Sequence, residues 1–166
     1  MKIYLAGFVP KGDKEAKIHI DWRSEFINHL TKIVDAEFID PRDRGRANFD
    51  EGDPFAVFAL DCKRVRQSDL ILVNGDSLSV GGAQEILIAK YFKKPVIVVL
   101  PKNTVHRRTN LNFGNKVIED WIHPFIHSTC DLMVESIEEL TAQDLKKVFK
   151  NPKTIKLIDE AVNACE

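Results

Sequence analysis

The sequence predicts an α/β fold in which helices cover both faces of a parallel sheet. Short apolar segments that resemble strands alternate along the chain with longer segments of helical periodicity. Two of these segments, Leu70–Asn74 and Val96–Leu100, are apolar at nearly every position, as strands buried on both faces are. At 166 residues the chain can form one well-filled domain, 1–166, but it is too short for two ordinary ones.

The first half of the chain contains two predicted strands and two predicted helices. Residues 3–8 form a β-branched and aromatic run that ends before Pro10, and a helical stripe of apolar residues follows. Asp53 and Pro54 predict a helix N-terminus, because aspartate caps a helix and proline is tolerated in its first turn. The predicted elements are strand 3–8, helix 14–33, strand 36–39 and a helix from Asp53 to about Ser68.

The second half repeats the alternation. Lys94 and Pro95 end a helix before the fourth strand, and Ser136–Glu139 has the spacing of a capping box at the start of a later helix. Residues from about 101 to 114 are predicted to form a long loop, which precedes a short helical stretch around Trp121. The predicted elements are strand 70–74, helix 81–92, strand 96–100, strand 131–134, a helix from Ser136 and a last helix within 152–164.

Five strands in this alternation predict a flavodoxin-like three-layer sandwich, with a five-stranded parallel sheet of order 2-1-3-4-5. In such sheets ligands bind where the strand order reverses, here between strands 1 and 3. The loops at that crevice follow Gly7 and Asn74. We expect the two C-terminal helices, within 136–166, to pack outside this core.

Composition excludes several classes of function. The net charge of −1 and 44% hydrophobic content are typical of a globular protein with no general attraction to nucleic acid polymers or acidic membranes. No apolar run is long enough to span a bilayer. The three cysteines lack metal-ligand spacing, as do the five histidines, so we expect no metal site and a reducing, cytoplasmic location. The pair Arg107–Arg108 is interpreted as solvated charge.

The segment Ser79–Glu85 contains the residues of the chain that are best suited to ligand binding and catalysis. Gly81 and Gly82 allow close approach of the backbone to a ligand, and Ser79 can cap the following helix. Glu85 is expected in the first helical turn, where the helix dipole would hold it ionised as a nucleophile or base. A dinucleotide-binding fingerprint is missing after strand 1, and the G-K-[ST] of a Walker loop is absent.

The chain resembles the nucleoside 2-deoxyribosyltransferase family, which includes the 2-deoxynucleoside 5'-monophosphate N-glycosidases. The resemblance covers about residues 1–135. No one of its marks is decisive, but their order and spacing are fairly specific. They are Ile3-Tyr4-Leu5-Ala6-Gly7, Asp21-Trp22-Arg23, Asp40-Pro41-Arg42, Asp61, Ser68-Asp69-Leu70, Ser79-x-Gly81-x-x-x-Glu85 and Lys94-Pro95-Val96.

The resemblance implies a division of labour among three catalytic residues. Glu85 would attack the anomeric carbon, Asp61 would assist the leaving base, and Tyr4 would orient the glutamate or contact the sugar. No cofactor or metal would be needed. Asp69 is expected to have only a structural role. Trp22 is expected to face the core, and Arg23 to pair with an acid of a helix.

The resemblance leaves the substrate open between a nucleoside and its 5'-monophosphate. Ser79 stands where the transferases carry aspartate, and this favours a phosphate. Asn110 matches an asparagine that the transferases supply from a neighbouring subunit, which implies a homodimer or higher homo-oligomer that completes the site. The loop after Gly7 lacks the motif of the phosphate glycosidases. The expected substrate-binding residues are Gly7, Phe8, Ser79, Gly81, Gly82 and Asn110.

Three alternatives remain open from the sequence. The enzyme can transfer the sugar to another base or to water, or it can be a strict 5'-monophosphate hydrolase. In a different class, a nucleotide-binding sensor could keep the fold without turnover. The paired acids Asp61 and Glu85 argue against the sensor, because binding alone does not require them.

Overall fold

The computed structural model describes residues 1–10, 14–15, 17, 20–43, 53–76 and 78–165. The strands in these ranges are β1 Lys2–Ala6, β2 Glu37–Ile39, β3 Leu70–Asn74, β4 Val96–Val99, β5 Arg107–Phe113, β6 Lys116–Ile122 and β7 Leu132–Val134. The α-helices are α1 Trp22–Leu30, α2 Pro54–Gln67, α3 Val80–Tyr91, α4 Pro124–Thr129, α5 Ala142–Val148 and α6 Leu157–Asn163. A 3₁₀ turn covers Ile137–Glu139.

The main sheet has five parallel strands in the order β2-β1-β3-β4-β7. This confirms the flavodoxin-like order predicted from the sequence, with β7 as the fifth strand. The order reverses between β1 and β3, whose register pairs Ile3 with Leu70 and Ala6 with Val73. The crevice expected from the topology therefore lies above the carboxyl ends of these two strands.

Alternate residues of β1 belong to two different hydrophobic cores. Ile3 and Leu5 pack with α1, the 3₁₀ turn and α5 on one face of the sheet. Tyr4 and Ala6 pack on the other face with residues of α2, α3 and α4. Because side chains alternate across a strand, this register fixes Tyr4 on the face that carries α2 and α3.

The predicted loop over 101–114 and the helical stretch around Trp121 are wrong. Residues 107–122 form an antiparallel hairpin, β5–β6, that is separate from the main sheet. Its two-residue turn joins the paired Phe113 and Lys116, and Gly114 has a φ of 57°. A positive φ at the first turn residue is what a tight hairpin of this kind needs, and glycine adopts it without strain.

Arg107 anchors this hairpin to the main sheet. It is buried, it donates to the Leu100 carbonyl oxygen at 3.1 Å, and it forms ion pairs with Asp120 and Glu135. The expectation of solvated charge at Arg107 is therefore wrong. The carboxylates of Asp120 and Glu135, together with the buried carbonyl, replace the water that this guanidinium would otherwise need.

The helix boundaries confirm some local signals and correct others. Asp53 caps α2 by accepting from the backbone N–H of Ala56 at 3.0 Å. The predicted helix 14–33 is instead interrupted, since α1 begins at Trp22. Ser136 makes no side-chain cap, and the capping box is formed by Thr141 and Asp144 at the start of α5. The two C-terminal helices differ: α5 packs Leu145 and Val148 into the hydrophobic core, whereas α6 buries no side chain.

None of the helices in the described ranges combines the length and apolar character needed to cross a membrane.

Candidate active site

The N-terminal part of α3 presents the residues of the glycine-rich segment. Ser79 is the N-cap, and its hydroxyl oxygen accepts from the backbone N–H of Gly82 at 3.1 Å. Because the helix begins at Val80, Glu85 lies in the second turn, and the expectation that it lies in the first turn is wrong. The free N–H groups of the helix end are therefore not what stabilises its charge.

Tyr4 and Glu85 form a buried hydrogen bond. The Tyr4 hydroxyl donates to Glu85 Oε1 at 2.8 Å across 81 residues of sequence. Tyr4 is fully buried and Glu85 is only 8% exposed. Burial, followed by the charges of Glu85 and Asp61, raises the pKa of Tyr4 far above its usual range, so the phenol stays protonated and remains a donor.

Asp61 from α2 completes this cluster. Its charge raises the pKa of both Tyr4 and Glu85, so its carboxylate lies close enough to influence each of them. Its side chain is 21% exposed, and one of its oxygens lies 4.0 Å from a nitrogen of Arg64. The structure thus brings together the three residues that the sequence singled out for catalysis, on the α2–α3 face of β1.

The electrostatic balance places Glu85 near its midpoint at neutral pH. Burial is the main cause that raises the pKa of Glu85 to about 7, and the charge of Asp61 adds to it. The hydrogen bond from Tyr4 and the charge of Arg23 act in the opposite direction. A carboxylate that is poorly solvated, ionisable near neutral pH and oriented by a donor can serve as a nucleophile or base.

Arg23 lies at the base of the loop that follows β1. Its side chain is fully inaccessible to solvent. The guanidinium donates to the carbonyl oxygens of Phe8 at 3.0 Å, Gly7 at 3.3 Å and Leu5 at 3.4 Å, and its Nε lies 3.4 Å from an Asp40 oxygen. The expected acidic partner was on a helix, but Asp40 directly follows β2. Sequence patterns give no signal for the three carbonyl contacts, because they depend on tertiary packing.

Gly7 and Gly82 let the two crevice loops pack against each other. Gly7 has a φ of 153°, and a Cβ there would lie 2.7 Å from the Trp22 ring. A Cβ on Gly82 would lie 3.5 Å from the Gly7 nitrogen and 2.9 Å from the Leu78 side chain. At Gly81 the nearest such atom is the Ser79 hydroxyl at 3.9 Å, so this position is open. The positive φ and the contact with Trp22 require glycine at position 7, whereas at position 82 a Cβ would meet mainly the movable end of the Leu78 side chain.

A cavity of about 550 Å³ opens at the carboxyl edge of the sheet, beside the Gly7 loop. Phe8, Trp22 and Asn74 form part of its wall. Trp22 is also packed in the core against Phe26, as the sequence predicted. The remaining lining residues are Glu15, Ile20, Glu25, Asp76, Val99, Pro101, Glu135, Ser136, Ile137 and Glu138.

Asn110 lies apart from the loop in which it was expected. It is exposed on β5 of the hairpin and has a φ of 53°. Asp69 has the structural role expected for it, since its carboxylate accepts from the backbone N–H of Lys2 at 2.8 Å. Within the described ranges, no group of three or more His, Cys, Asp or Glu residues could hold a metal ion.

The fold and this cluster define the class of molecule: a flavodoxin-like sandwich with a buried tyrosine–glutamate pair and a second acid beneath the switch point. Among solved structures, the chain is similar to a 2-deoxyribosyltransferase from the psychrotolerant bacterium Bacillus psychrosaccharolyticus. The identity is 17%, the TM-score is 0.57, and the match covers 93% of this chain and 98% of that one. The resemblance predicted from the sequence is thus matched at the level of the fold.

Two further structures resemble the chain. A conserved protein from Enterococcus faecalis V583 is 19% identical with a TM-score of 0.58, over 88% of this chain and 97% of that one. A CMP N-glycosidase from Clostridium botulinum is 16% identical, over 89% of this chain and 99% of that one. Its TM-score of 0.46 is too low to support a comparison. No protein-family model and no curated protein matches the sequence.

Proposed function

We propose that this protein cleaves the N-glycosidic bond of 2-deoxynucleosides or their 5'-monophosphates through a covalent glycosyl intermediate on Glu85. The observation that carries the proposal is the buried hydrogen bond from Tyr4 to Glu85, with Asp61 beside it. The fold shared with a 2-deoxyribosyltransferase supports the same assignment.

The chemistry follows from the positions of the two carboxyl groups. Tyr4 holds Glu85 Oε1, which leaves Oε2 to attack the anomeric carbon as the bond to the base breaks. The electron pair of that bond leaves with the base. Because two adjacent carboxyl groups disfavour carrying two negative charges, the pair retains one proton, which Asp61 holds when Glu85 attacks and then supplies to the departing base. An ionised glutamate also stabilises the oxocarbenium-like transition state that glycosidic cleavage passes through.

The second half of the reaction releases the sugar. A water molecule or a second base attacks the same carbon, the ester to Glu85 breaks, and its carboxylate is restored. Asp61, now ionised, accepts the proton that the incoming water or base gives up. Water yields the free sugar, and a second base yields a new nucleoside. The same residues therefore serve both hydrolysis and transfer.

The loops around the crevice are proposed to bind the rest of the substrate. Gly7, Phe8, Gly81 and Gly82 would contact the sugar and its 5' end through their backbone, and the Ser79 hydroxyl would donate a hydrogen bond to a 5' hydroxyl or a phosphate. Asn110, exposed on the hairpin, would complete the site of a neighbouring subunit in a homodimer or higher homo-oligomer. A cytoplasmic location is supported by the three cysteines, all of which are free thiols.

The decisive experiment follows base release from a panel of deoxynucleosides and their 5'-monophosphates, with and without a second free base. Exchange into the added base would establish transfer, and release without exchange would establish hydrolysis. Glu85→Ala should lower either rate by a factor on the order of 10³ or more, because the nucleophile is removed.

A matched control is available on the same helix. Gln84→Ala changes the exposed neighbour of Glu85 and should retain the wild-type rate. If no member of the panel releases its base but nucleotides bind tightly, the protein is a nucleotide-binding sensor and not an enzyme. An unchanged rate in Glu85→Ala would show that the nucleophile lies elsewhere.

A further inference from the structure

Arg23 is a fully buried cation beside the backbone that follows β1. Its guanidinium lies 4.2 Å from the centre of the Trp22 ring, and its side chain has no exposure to solvent. Burial lowers the pKa of Arg23 from its usual value, and Asp40 opposes that shift. Arginine nevertheless stays protonated in proteins, so a positive charge is fixed at this position.

The contacts of Arg23 run to the loop that borders the site. Three carbonyl oxygens of residues 5–8 accept hydrogen bonds from its two terminal nitrogens. These carbonyls follow Tyr4 directly in the chain, and Gly7 in turn packs against Gly82 at the start of α3. The guanidinium therefore sets the path of the backbone between the tyrosine that holds Glu85 and the loop beside it.

The charge of Arg23 also reaches the reacting carboxylate. It acts on Glu85 and on Tyr4, and for Glu85 it opposes the effects of burial and of Asp61. A second cation, Arg64, acts on Tyr4 from α2. The groups that influence Glu85 are Tyr4 of β1, Arg23 of α1 and Asp61 of α2. Those that influence Arg23 are Asp40 and Arg42 after β2, together with Tyr4 and Glu85. On α2, Cys62 is in turn influenced by Asp61 and Glu85.

We propose that Arg23 is a positioning residue: its buried guanidinium fixes the backbone after β1, and its charge favours the ionised form of Glu85. This inference rests on the proposed glycosidic chemistry, but its electrostatic half concerns the state of one carboxyl group and is measurable without turnover. Two separate consequences follow, one geometric and one electrostatic, and different substitutions separate them.

The electrostatic consequence is tested by titrating Glu85 directly. With ¹³C-labelled glutamate carboxyls, assigned by their loss in Glu85→Gln, NMR should place the wild-type midpoint at about pH 7. In Arg23→Gln the midpoint should move to higher pH, because a nearby cation no longer favours the ionised form. Arg23→Lys keeps a charge and should leave the midpoint near that of the wild type.

The geometric consequence is tested by kinetics. Arg23→Lys should lower kcat more than it raises KM, since a single ammonium cannot hold three carbonyls as the planar fork does. Arg23→Gln should lower kcat/KM on the order of 100-fold, as expected for a misplaced catalytic group, and shift the acid limb of the pH profile upward.

Chemical rescue distinguishes positioning from simple loss of packing. Added guanidinium ion should restore part of the rate of Arg23→Ala and return the Glu85 midpoint toward neutrality, whereas urea, which has the same shape without the charge, should do neither. Arg42→Gln is the matched control, because Arg42 pairs with the same Asp40 but makes none of the loop contacts described for Arg23.

Each outcome decides the matter. An unchanged Glu85 midpoint in folded Arg23→Gln, or rescue by urea as well as by guanidinium, would overturn the proposal. If Arg23→Gln fails to fold, Arg23→Lys and the rescue of Arg23→Ala still test it. If the wild type releases no base from any substrate, the proposed function fails, and the titration continues to test the charge of Arg23.

Discussion

Helix α3 contains two buried charged residues, and the surrounding groups compensate one of these charges far more completely than the other. Near its end, Lys90 is fully buried and donates to Asp131 and to the carbonyl oxygen of Lys94. Asp131 also accepts from the backbone N–H groups of Val96 and Lys153, each at 2.6 Å. Both oxygens of this carboxylate are therefore occupied, which is what a buried ion pair needs to be tolerated.

Nearer the start of the helix, Glu85 receives much less compensation. Tyr4 donates one hydrogen bond to it, while burial and the neighbouring Asp61 disfavour its charge. The contrast separates two uses of a buried charge within one helix. The satisfied pair joins α3, β4 and the C-terminal segment, whereas the poorly compensated carboxylate retains the reactivity that the proposed catalysis requires.

Breaking the satisfied pair should have the largest effect on stability. In Lys90→Met, Asp131 keeps its backbone donors but loses its counter-charge in the interior. We expect a loss of about 3–5 kcal/mol in the free energy of unfolding, measured by urea titration. Asp131→Asn in the same chain should recover part of that loss. A loss below about 1 kcal/mol would mean that the pair contributes as little as a surface ion pair.

Neutralising Glu85 should instead increase the free energy of unfolding. Its folded pKa of about 7 lies above the reference value of 4.5, so ionisation costs stability as pH rises through that interval, and the full cost is present above about pH 7. Glu85→Gln keeps the acceptor for Tyr4 and removes the charge. At pH 8 it should be more stable than the wild type by about 3 kcal/mol, and at pH 4 about equal.

Calorimetric unfolding at the two pH values measures this difference. Gln84→Glu, which adds an exposed charge beside Glu85, is the control and should show little change at either pH. The same stability offset for Glu85→Gln at pH 4 and pH 8 would contradict an origin in ionisation.

The smallest effect is expected for a substitution at Ser79, the first residue of the segment Ser79–Glu85. Ser79→Asp preserves the cap of α3, because aspartate also accepts from the helix N–H groups. It adds a negative charge where the 5' end of the substrate is proposed to lie, and should lower kcat/KM for 5'-monophosphates by about tenfold relative to nucleosides. Ser79→Asn caps without the charge and is the control. An equal effect on both substrates would place the 5' end elsewhere.

The fold was accessible from the sequence because its strongest signals are local. The apolar strands β3 and β4 and the caps at Asp53 and Ser79 all follow from short patterns. The strand–helix alternation that these patterns mark predicts a parallel, doubly wound sheet. The hairpin β5–β6 was missed although Gly114 and Asn115 form a recognisable turn signal. Its strands are polar and half-exposed, so they lack the apolar alternation that identifies a strand.

The candidate site could be predicted only in part from the sequence. Tyr4, Asp61 and Glu85 were named from family spacing, and the structure brings them together. Arg23 was expected to pair with a helix acid, but its partners are three backbone carbonyls of residues 5–8 and Asp40. Such contacts join residues that are distant in sequence or lack a side-chain pattern, as does the Lys90–Asp131 pair, 41 residues apart. Local spacing carries no information about them.

The close packing of Gly7 restricts how the specificity of this protein can be altered. Any side chain there would collide with the indole of Trp22 and approach the Asn74 Cβ to 3.3 Å. Laboratory evolution toward bulkier or smaller substrates should therefore accumulate changes at Phe8 and Ser79, while libraries randomised at Gly7 should yield mainly insoluble protein. Backbone atoms form one wall of the crevice, so the shape of that wall depends on the fold and cannot be altered by exchanging single side chains.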